Sequence, residues 1–427
     1  TPAPGRSESA VQKWNLDVPR EKLGELTQPS TPLPVPKFSY LHHGLLSASL
    51  TNRFQDWAHP DAKVRLRWHS DIDSAVKLAD PLAEVITREG IFEGQLARFG
   101  HGLQRSFILA LLQELATGDA TNAPVLVLGC EEPELYQHPP QVRHVASVFQ
   151  RLAQTGAQIL VCTHSPLFVH GEGFEDVRLI CRDSKTQAAK VHSVKFDDVA
   201  KIVADATGNR PSPKQGAAMK VAQALQPTLN EMFFTSVLVL VEGLEDAGYI
   251  ASYLALTDRW EEYRRLGCHI VLASGKHSMI QTLAIANLLE IPTFTLFDGD
   301  TDKINKPEHR VKHESDNAAL LKIAGYPAEA PLPNANVWKH SLVMWMEDIG
   351  SALAADIGKA EWENLHNRVK KELQIIDVAD LHKNVIFIGE LLASAWNAGI
   401  KFPTLDILCD VILNFARSQR LAKKVAG

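Results

Sequence analysis

The feature that most constrains the fold is a series of short apolar runs that alternate with amphipathic segments between residues 236 and 300. SVLVLVEG, CHIVLAS and PTFTLFDGD are typical of buried strands, and residues 245–256 and 278–289 between them have helical spacing. Strands that alternate with helices form a parallel sheet with crossover connections. The sequence therefore predicts an α/β fold with a compact doubly wound unit in this region.

A second alternation precedes the first. APVLVLGCEEPEL, QVRHVASVFQRLAQTG and QILVCTHS predict a strand, a helix and a strand. Upstream of them, Leu82, Val85 and Ile86 and the apolar positions from Phe107 to Leu112 recur at three- and four-residue spacing, so we expect helices across residues 81–117. The polar or proline-containing segments 305–315 and 327–336 predict loops.

A chain of 427 residues is too long for one continuous core. We expect four parts: an extended proline-rich arm at 1–40, a first α/β segment at 41–230, a second α/β unit at 231–350, and a helical region at 351–427. The arm is predicted from PSTPLPVP, whose alternating prolines favour extended backbone.

The overall charge gives no reason to expect nucleic acid or an anionic membrane as partner, since 44 Lys and Arg face 50 Asp and Glu. Any such partner must be recognised locally. The apolar runs are far shorter than the roughly 20 residues of a membrane-spanning helix. Five cysteines without a CxxC pair suit reduced thiols, so we expect a cytoplasmic protein.

The strongest chemical signal is a group of carboxylates at predicted strand ends. Glu242 follows the first strand of the 236–300 series, and Asp298 and Asp300 follow the third. Ligands bind at the carboxyl ends of parallel strands, and crowded carboxylates need a cation between them. Mg²⁺ or Mn²⁺ suits such oxygen ligands and, as a pair, supports phosphodiester cleavage. Two further acids, Asp246 and Asp302, extend the predicted metal site.

VLVEGLED, followed about fifty residues later by LFDGD, resembles the Toprim domain of topoisomerases, primases and a group of nucleases. The family has a Glu after its first strand and a DxD after its third. This resemblance implies that residues 231–350 form a Toprim domain in which Glu242, Asp298 and Asp300 are catalytic.

In the first α/β segment, too, residues that can take part in chemistry directly follow the predicted strands. One acid after an apolar strand can hold Mg²⁺, a second can orient water, and a histidine can contact a terminal phosphate. Residues 41–230 resemble an ABC-type ATPase: LVLGCEEPEL its Walker B and D-loop, THS its switch histidine, and RFGHGLQRSF its signature segment. The nucleotide-site residues that this resemblance implies are Gly100, Gly102, Gln104, Arg105, Glu131, Glu132 and His164.

A phosphate-binding GxxxxGK[ST] loop does not occur in the sequence, and GKHS at Gly275 lacks its first glycine. Because such a loop supplies the amides and lysine that hold phosphates, we expect this chain to hydrolyse little ATP. We expect ATP as a cofactor only with a loop from an upstream segment, which the start at Thr1 favours.

An ABC-type ATPase followed by a Toprim domain is similar to the OLD (overcoming lysogenization defect) family of ATP-dependent endonucleases. The resemblance implies DNA nicking and double-strand cleavage with two metals, and an ATPase module that forms a homodimer or higher homo-oligomer and regulates cleavage. The implied role is phage defence or DNA repair. It also implies a further metal-binding acid, Glu347 in MEDIG, and a later basic residue, for which Lys401 is the candidate.

Basic residues directly after DGD could hold DNA phosphates near the predicted metals. The predicted DNA-binding residues are Lys303, Lys306, Arg310 and Lys312. A solvated charged loop is the alternative interpretation of this segment.

Two other functions stay open at this point. In a haloacid-dehalogenase-like phosphatase the first Asp of the DxD would be a nucleophile, although Asp302 stands where that family has Thr or Val. Phosphomonoester and plasmid-nicking assays separate these readings. In a structural-maintenance-type ATPase clamp the acids would be vestigial, and DNA would bind equally well in EDTA and in Mg²⁺.

Overall fold

The computed structural model describes residues 40–56, 63–68, 83–116, 126–171, 173–183, 186, 188–375 and 381–425. The predicted proline-rich arm lies outside these residues except for Tyr40. The chain separates into two compact units, residues 1–114 and 115–427, and both mix helices with strands. Within the described ranges, no helix combines the length and the apolar content that crossing a bilayer requires.

The first unit contains an antiparallel sheet in the order β1-β2-β3. Its elements are α1 (Tyr40–Asp56), β1 (Lys63–Trp68), β2 (Ala83–Glu89), β3 (Phe92–Gln95) and α2 (His101–Ala116). The hydroxyls of Ser47 and Thr51 accept hydrogen bonds from the Leu66 and Val64 amides at 3.2 and 2.9 Å. Helix α1 therefore satisfies backbone donors of the edge strand β1.

The helix predicted around Val85 and Ile86 is wrong, because both residues lie in β2 and pair with Leu66 and Arg65 of β1; Leu82 lies outside the described residues. The β-branched run Val85, Ile86, Thr87 favours a strand, and this preference outweighs the three- and four-residue spacing. The helix predicted over Phe107 to Leu112 is confirmed by α2.

The second unit begins with the predicted strand, helix and strand. These are β4 (Val127–Glu131), α3 (Pro139–Gln154) and β5 (Gln158–Cys162), and the two strands are parallel. Val145, Phe149 and Leu152 lie on the buried face of α3. The hairpin β6 (Leu179–Arg182) and β7 (Ala189–His192) and the helices α4 (Phe196–Thr207) and α5 (Lys214–Ala224) follow.

The predicted doubly wound unit is a five-stranded sheet in the order β11-β12-β10-β8-β9, parallel except for the edge strand β11. Its elements are β8 (Val237–Val241), α6 (Leu244–Leu256), α7 (Trp260–Arg265), β9 (Cys268–Leu272), α8 (Lys276–Leu288), β10 (Thr293–Asp298), α9 (Pro307–Ile323), β11 (Val337–Trp338) and β12 (Leu342–Trp345). The three predicted strands and two predicted helices are confirmed.

Helices cover both faces of this sheet. Leu238 and Leu240 of β8 belong to the core shared with α4, α5, α8 and α9, whereas Val239 and Val241 belong to the core on the opposite face. That second core contains α6 and the C-terminal helices α10 (Ile349–Ile357), α11 (Lys359–Glu372), α12 (Val385–Asn397) and α13 (Pro403–Val425). Burial on both faces explains the continuous apolar run of β8. Helices that come before and after the predicted 231–350 domain in the sequence thus share its core.

The loop predicted at residues 305–315 is wrong, because helix α9 begins at Pro307. Proline suits the first helical position, where its missing N–H has no intrahelical partner. The first six residues of α9 are exposed, so this part of the helix carries no apolar periodicity for the sequence to display. The segment 327–336 is a loop, as predicted.

Helix α12 provides a matched pair of residues for testing whether the C-terminal helices stabilise the sheet. Ile388 is fully buried against α6, whereas Ile386 is 75% exposed. We predict that Ile388→Ala lowers the free energy of unfolding by about 2–5 kcal/mol and that Ile386→Ala changes it by less than about 0.5 kcal/mol. Denaturant titration measures both. Equal stabilities would show that α12 does not pack on α6.

Candidate functional site

The ends of two adjacent parallel strands bring the first two predicted acids together. Glu242 directly follows β8 and Asp298 ends β10, with Val241 paired to Leu296 in the register of these strands. The Asp298 amide donates a hydrogen bond to Glu242 Oε2 at 3.2 Å. The predicted proximity of Glu242 and Asp298 is therefore observed.

Close backbone contacts fix the turn after β10. The Gly299 amide donates to the Trp345 carbonyl at 2.8 Å, and the Asp300 amide donates to the Glu347 carbonyl at 3.3 Å. A Cβ at residue 299 would lie 2.5 Å from the Trp345 oxygen and 2.6 Å from the Met346 oxygen, so only glycine fits. Asp300 adopts a left-handed backbone with φ of 54°, which is rare for a residue with a side chain.

A third acid reaches the same place from α6. Asp246 is 3% exposed, and its Oδ2 accepts a hydrogen bond from the Gly243 amide at 3.3 Å. Burial raises the pKa of Asp246 well above its usual range, and the charges of Glu242 and Glu245 add to the effect. Burial, with the neighbouring acids, also raises the pKa values of Asp298 and Glu242. These carboxyls are therefore costly to ionise without a cation.

Two oxygens in this group lack hydrogen-bond partners among the described residues. They are Asp246 Oδ1 and Asp298 Oδ1, both buried. The indole Nε1 of Trp345 lies near Asp246 but does not meet hydrogen-bond geometry. Buried polar atoms are normally satisfied, and unpaired carboxylate oxygens are suitable ligands for a hard divalent cation. The oxygen chemistry of Asp246 and Asp298, with Glu242 hydrogen-bonded beside them, thus suits a divalent cation.

Asp300 differs from the other acids because basic groups surround it. Its Oδ2 pairs with the Lys276 ammonium, its Oδ1 lies 2.6 Å from Lys303 Nζ, and His313 Nδ1 lies 3.1 Å from Oδ2 without hydrogen-bond geometry. Burial raises the pKa of Asp300, but the two lysines outweigh burial and lower it overall. Asp300 is therefore held as a carboxylate.

A neighbouring pair of acids lies where α6 meets α10. A Cβ on Gly350 would lie 3.2 Å from Glu245 Oε1 and 3.4 Å from Asp348 Oδ1, so these two carboxylates flank Gly350. Burial and the charge of Asp348 raise the pKa of Glu245 to about 7, while Lys383 opposes the rise. Asp348 also caps α10, where its Oδ1 accepts from the Ser351 amide at 2.6 Å.

The remaining predicted metal and catalytic residues lie less centrally. Asp302 is exposed, Glu347 offers its backbone carbonyl to Asp300, and Lys401 is exposed in the loop before α13. Among the described residues, no three Asp, Glu, His or Cys side chains are arranged to hold one ion together. In this arrangement both oxygens of Asp300 face lysines.

Sequence reasoning missed four charged residues around the acids: Lys276, Glu245, Asp348 and Lys383. Lys276 belongs to the GKHS segment, which resembles part of a phosphate-binding loop. Its position four residues after β9 would have placed it at the same edge of the sheet, because the carboxyl ends of parallel strands share one edge. Asp348 stands before an apolar helical run, which is a helix-capping pattern.

In the ATPase-like segment, Glu131 ends β4, and Glu132 follows with a positive φ of 45°. The Glu132 amide donates to the Cys162 carbonyl at 2.7 Å, and His164 Nε2 lies 3.6 Å from Glu132 Oε1. Glu134 Oε1 accepts from the His164 amide at 2.8 Å. The structure therefore brings the predicted hydrolytic acid and switch histidine within ion-pair distance.

The predicted signature residues surround the start of α2 in the first unit. Gly100 precedes the helix and accepts the Gln104 amide at 3.2 Å. The Gln104 side chain donates to the Phe99 carbonyl at 2.7 Å and so caps the preceding turn. Gly102 and Arg105 are half-buried in the first turns.

The four predicted DNA-binding residues differ in their surroundings. Lys303 contacts Asp300, whereas Lys306, Arg310 and Lys312 are exposed at the start of α9. Lys306, Arg310 and His313 are spaced by four and three residues and share one side of the helix. Because His313 contacts Asp300, that side faces the acids. Lys312 lies about 200° around the helix from Arg310.

Two family models match the chain. An AAA ATPase domain matches residues 58–169, and the Toprim domain of overcoming lysogenization defect protein-like sequences matches residues 233–300. The chain therefore carries an ATPase-like domain and an OLD-like Toprim domain. The predicted resemblance to the OLD family is confirmed.

Two curated relatives are nucleases by name. The Old nuclease of Escherichia phage P2 is 26% identical over 295 residues, covering 64% of this chain and 48% of the relative. The OLD nuclease of Thermus scotoductus is 27% identical over 225 residues, covering 52% of this chain and 39% of the relative. The chain thus spans about half the length, or less, of these relatives. A solved SMC ATPase structure overlays with a TM-score of 0.26 and 13% identity, covering 39% of this chain and 92% of that one, too weakly to support an argument.

The close approach of Gly299 to β12 generates a prediction for the site. We expect Gly299→Ala to lower the free energy of unfolding by about 1–3 kcal/mol, because the new methyl would press on two backbone carbonyls that cannot rotate away. Gly243→Ala is the matched control, since a Cβ there meets nothing within 4 Å. Thermal unfolding measures both, and equal melting temperatures would contradict the proposed turn geometry.

Proposed function

Because the chain combines an ATPase-like domain with an OLD-like Toprim domain, we propose that it is a metal-dependent DNA endonuclease whose ATPase-like part regulates cleavage. The proposed substrate is DNA, cut by nicking and by double-strand cleavage. The proposed context is phage defence or DNA repair, in a homodimer or higher homo-oligomer assembled through the ATPase-like part.

The observation that carries this proposal is the convergence of half-buried Glu242 and Asp298 with buried Asp246, since one oxygen each of Asp246 and Asp298 has no hydrogen-bond partner among the described residues. Mg²⁺ or Mn²⁺, when bound, supplies charge neutralisation and a lowered pKa for water, and a pair of ions can stabilise the attacking and leaving oxygens of a phosphodiester. The chain's own acids would hold and orient this charge, and the partial burial of Glu242 and Asp298 limits their contact with bulk water.

The acids fall into two groups, which supports a two-metal site. Glu242, Asp246 and Asp298 form the central group, and Glu245 and Asp348 flank Gly350 beside it. Lys383, exposed like Lys401, lies in the turn that precedes α12, and its charge acts on Glu245, so it is the better-placed basic candidate. Glu347 and Asp302 are proposed as outer members of the site.

The ATPase-like part is proposed to act through Glu131, Glu132 and His164. Glu132 would orient water and His164 would contact phosphate, a division of roles supported by their 3.6 Å separation. A phosphate-binding loop from outside this sequence would complete the nucleotide site. The signature residues Gly100, Gly102, Gln104 and Arg105 are proposed to meet nucleotide across a dimer.

The first test of this function is an isosteric change of one central acid. We expect Glu242→Gln to lower plasmid nicking in Mg²⁺ or Mn²⁺ by on the order of 100-fold or more, because an amide oxygen is a weaker metal ligand than a carboxylate. The control is Glu261→Gln, an exposed acid on α7. Wild-type cutting by Glu242→Gln, or full cutting in EDTA, would exclude the proposed site.

A second test concerns the DNA surface. We expect the double variant Lys306→Ala, Arg310→Ala to weaken DNA binding and to reduce the slope of log affinity against log salt by about 2, since two phosphate contacts and their released counterions are lost. The single variant Arg310→Ala should reduce the slope by about 1, and Lys312→Ala, which removes the same charge from another side of α9, should have a smaller effect than Arg310→Ala. Fluorescence anisotropy over a salt series measures the slopes. An equal or larger effect of Lys312→Ala would contradict the assigned face.

A further inference from the structure

The ion pairs of Asp300 are unequal, although two lysines share its carboxylate. Lys276 Nζ pairs with Oδ2 and Lys303 Nζ pairs with Oδ1. The side chains of Asp300 and Lys276 are 6% and 5% exposed, whereas that of Lys303 is 52% exposed. One cation is therefore enclosed by protein and the other is in contact with solvent.

This difference decides which lysine can leave. Moving Lys276 away from Asp300 would leave a buried ammonium and a buried carboxylate unpaired, which is strongly unfavourable. Lys303 can swing into water and regain its hydration, because a lysine side chain is flexible and its ammonium is strongly hydrated. An ion pair with one solvent-exposed partner is weak, so a competing cation can replace it.

Lys303 also lies where the acids need positive charge. Its ammonium is one of the two that face the Asp300 carboxylate beside Glu242 and Asp298, and Asp298 contributes to raising the pKa of Lys303. Burial lowers that pKa, but the charges of Asp300, Asp298 and Asp302 outweigh burial. Lys303 therefore provides positive charge at the acids that are proposed to bind a divalent ion.

We infer that Lys303 is an exchangeable counter-ion of Asp300: its ammonium leaves Oδ1 when a divalent cation binds at the acids, while Lys276 keeps its contact with Oδ2. This inference rests on the proposed metal site. Asp300 then offers one oxygen, Oδ1, to the cation. Lys303, once released, lies three residues before Lys306 and adds its charge to the side of α9 that faces the acids. Metal loading and DNA-phosphate binding are thereby coupled through one side chain.

The test uses the full chain without DNA and measures Mg²⁺ and Mn²⁺ binding by isothermal titration calorimetry. Lys303→Met removes the competing ammonium and keeps most of the side-chain volume. We expect its metal affinity to be about three- to tenfold tighter than wild type. Lys312→Met, which removes a charge from the same segment without touching Asp300, should change the affinity by less than about twofold.

An Asp300→Asn background separates exchange from a general charge effect. In that background, Lys303→Met should no longer tighten metal binding, because Asp300→Asn has already removed the carboxylate that pairs with Lys303. Wild-type or weaker affinity in Lys303→Met, or a gain that persists in Asp300→Asn, would overturn the exchange and leave the metal site intact. If the wild-type chain bound no Mg²⁺ or Mn²⁺, or if Glu242→Gln left metal binding unchanged, both the site and the inference would be overturned.

Discussion

Repulsion among carboxylates crowded at one edge of the parallel sheet is the constraint on which the site depends. Glu242, Asp246 and Asp298 lie where burial raises their pKa values, so positive charge is needed to keep them ionised. Lys276 supplies a fixed positive charge and Lys303 a displaceable one, both directed at Asp300. The basic groups near the acids thus offset part of the repulsion that arises because the sheet brings the acids together.

The sheet can impose this crowding because helices hold it rigidly from both sides. Successive residues of β8 belong to two cores, and three backbone amides fix the turn after β10 by donating to carbonyls at the end of β12 and just after it. Gly299 allows this approach, and Asp300 accepts an unfavourable left-handed backbone. Well-packed surroundings stabilise the geometry that the acids require.

The sequence predicted the parts of the site that depend on strand ends, because a continuous apolar run identifies a buried strand and the next polar residue identifies its carboxyl end. Glu242 and Asp298 follow from that rule. Lys276 obeys the same rule but was hidden by its likeness to a phosphate-binding loop. Two predictions were wrong because spacing alone does not distinguish a short paired strand from a helix, or a solvated helix from a loop. They are the helix around Val85 and Ile86 and the loop at the exposed start of α9. Tertiary partners such as Asp348 and Lys383 depend on packing that spacing does not encode.

The most direct measurement is a crystal structure of the chain with Mn²⁺, analysed by anomalous scattering. The account predicts a manganese peak among Glu242, Asp246 and Asp298, with Lys303 Nζ withdrawn from Asp300 Oδ1 and Lys276 still paired with Oδ2. A peak confined to other parts of the protein, or no ordered Mn²⁺ at millimolar concentration, would contradict the claim that these acids form a metal centre.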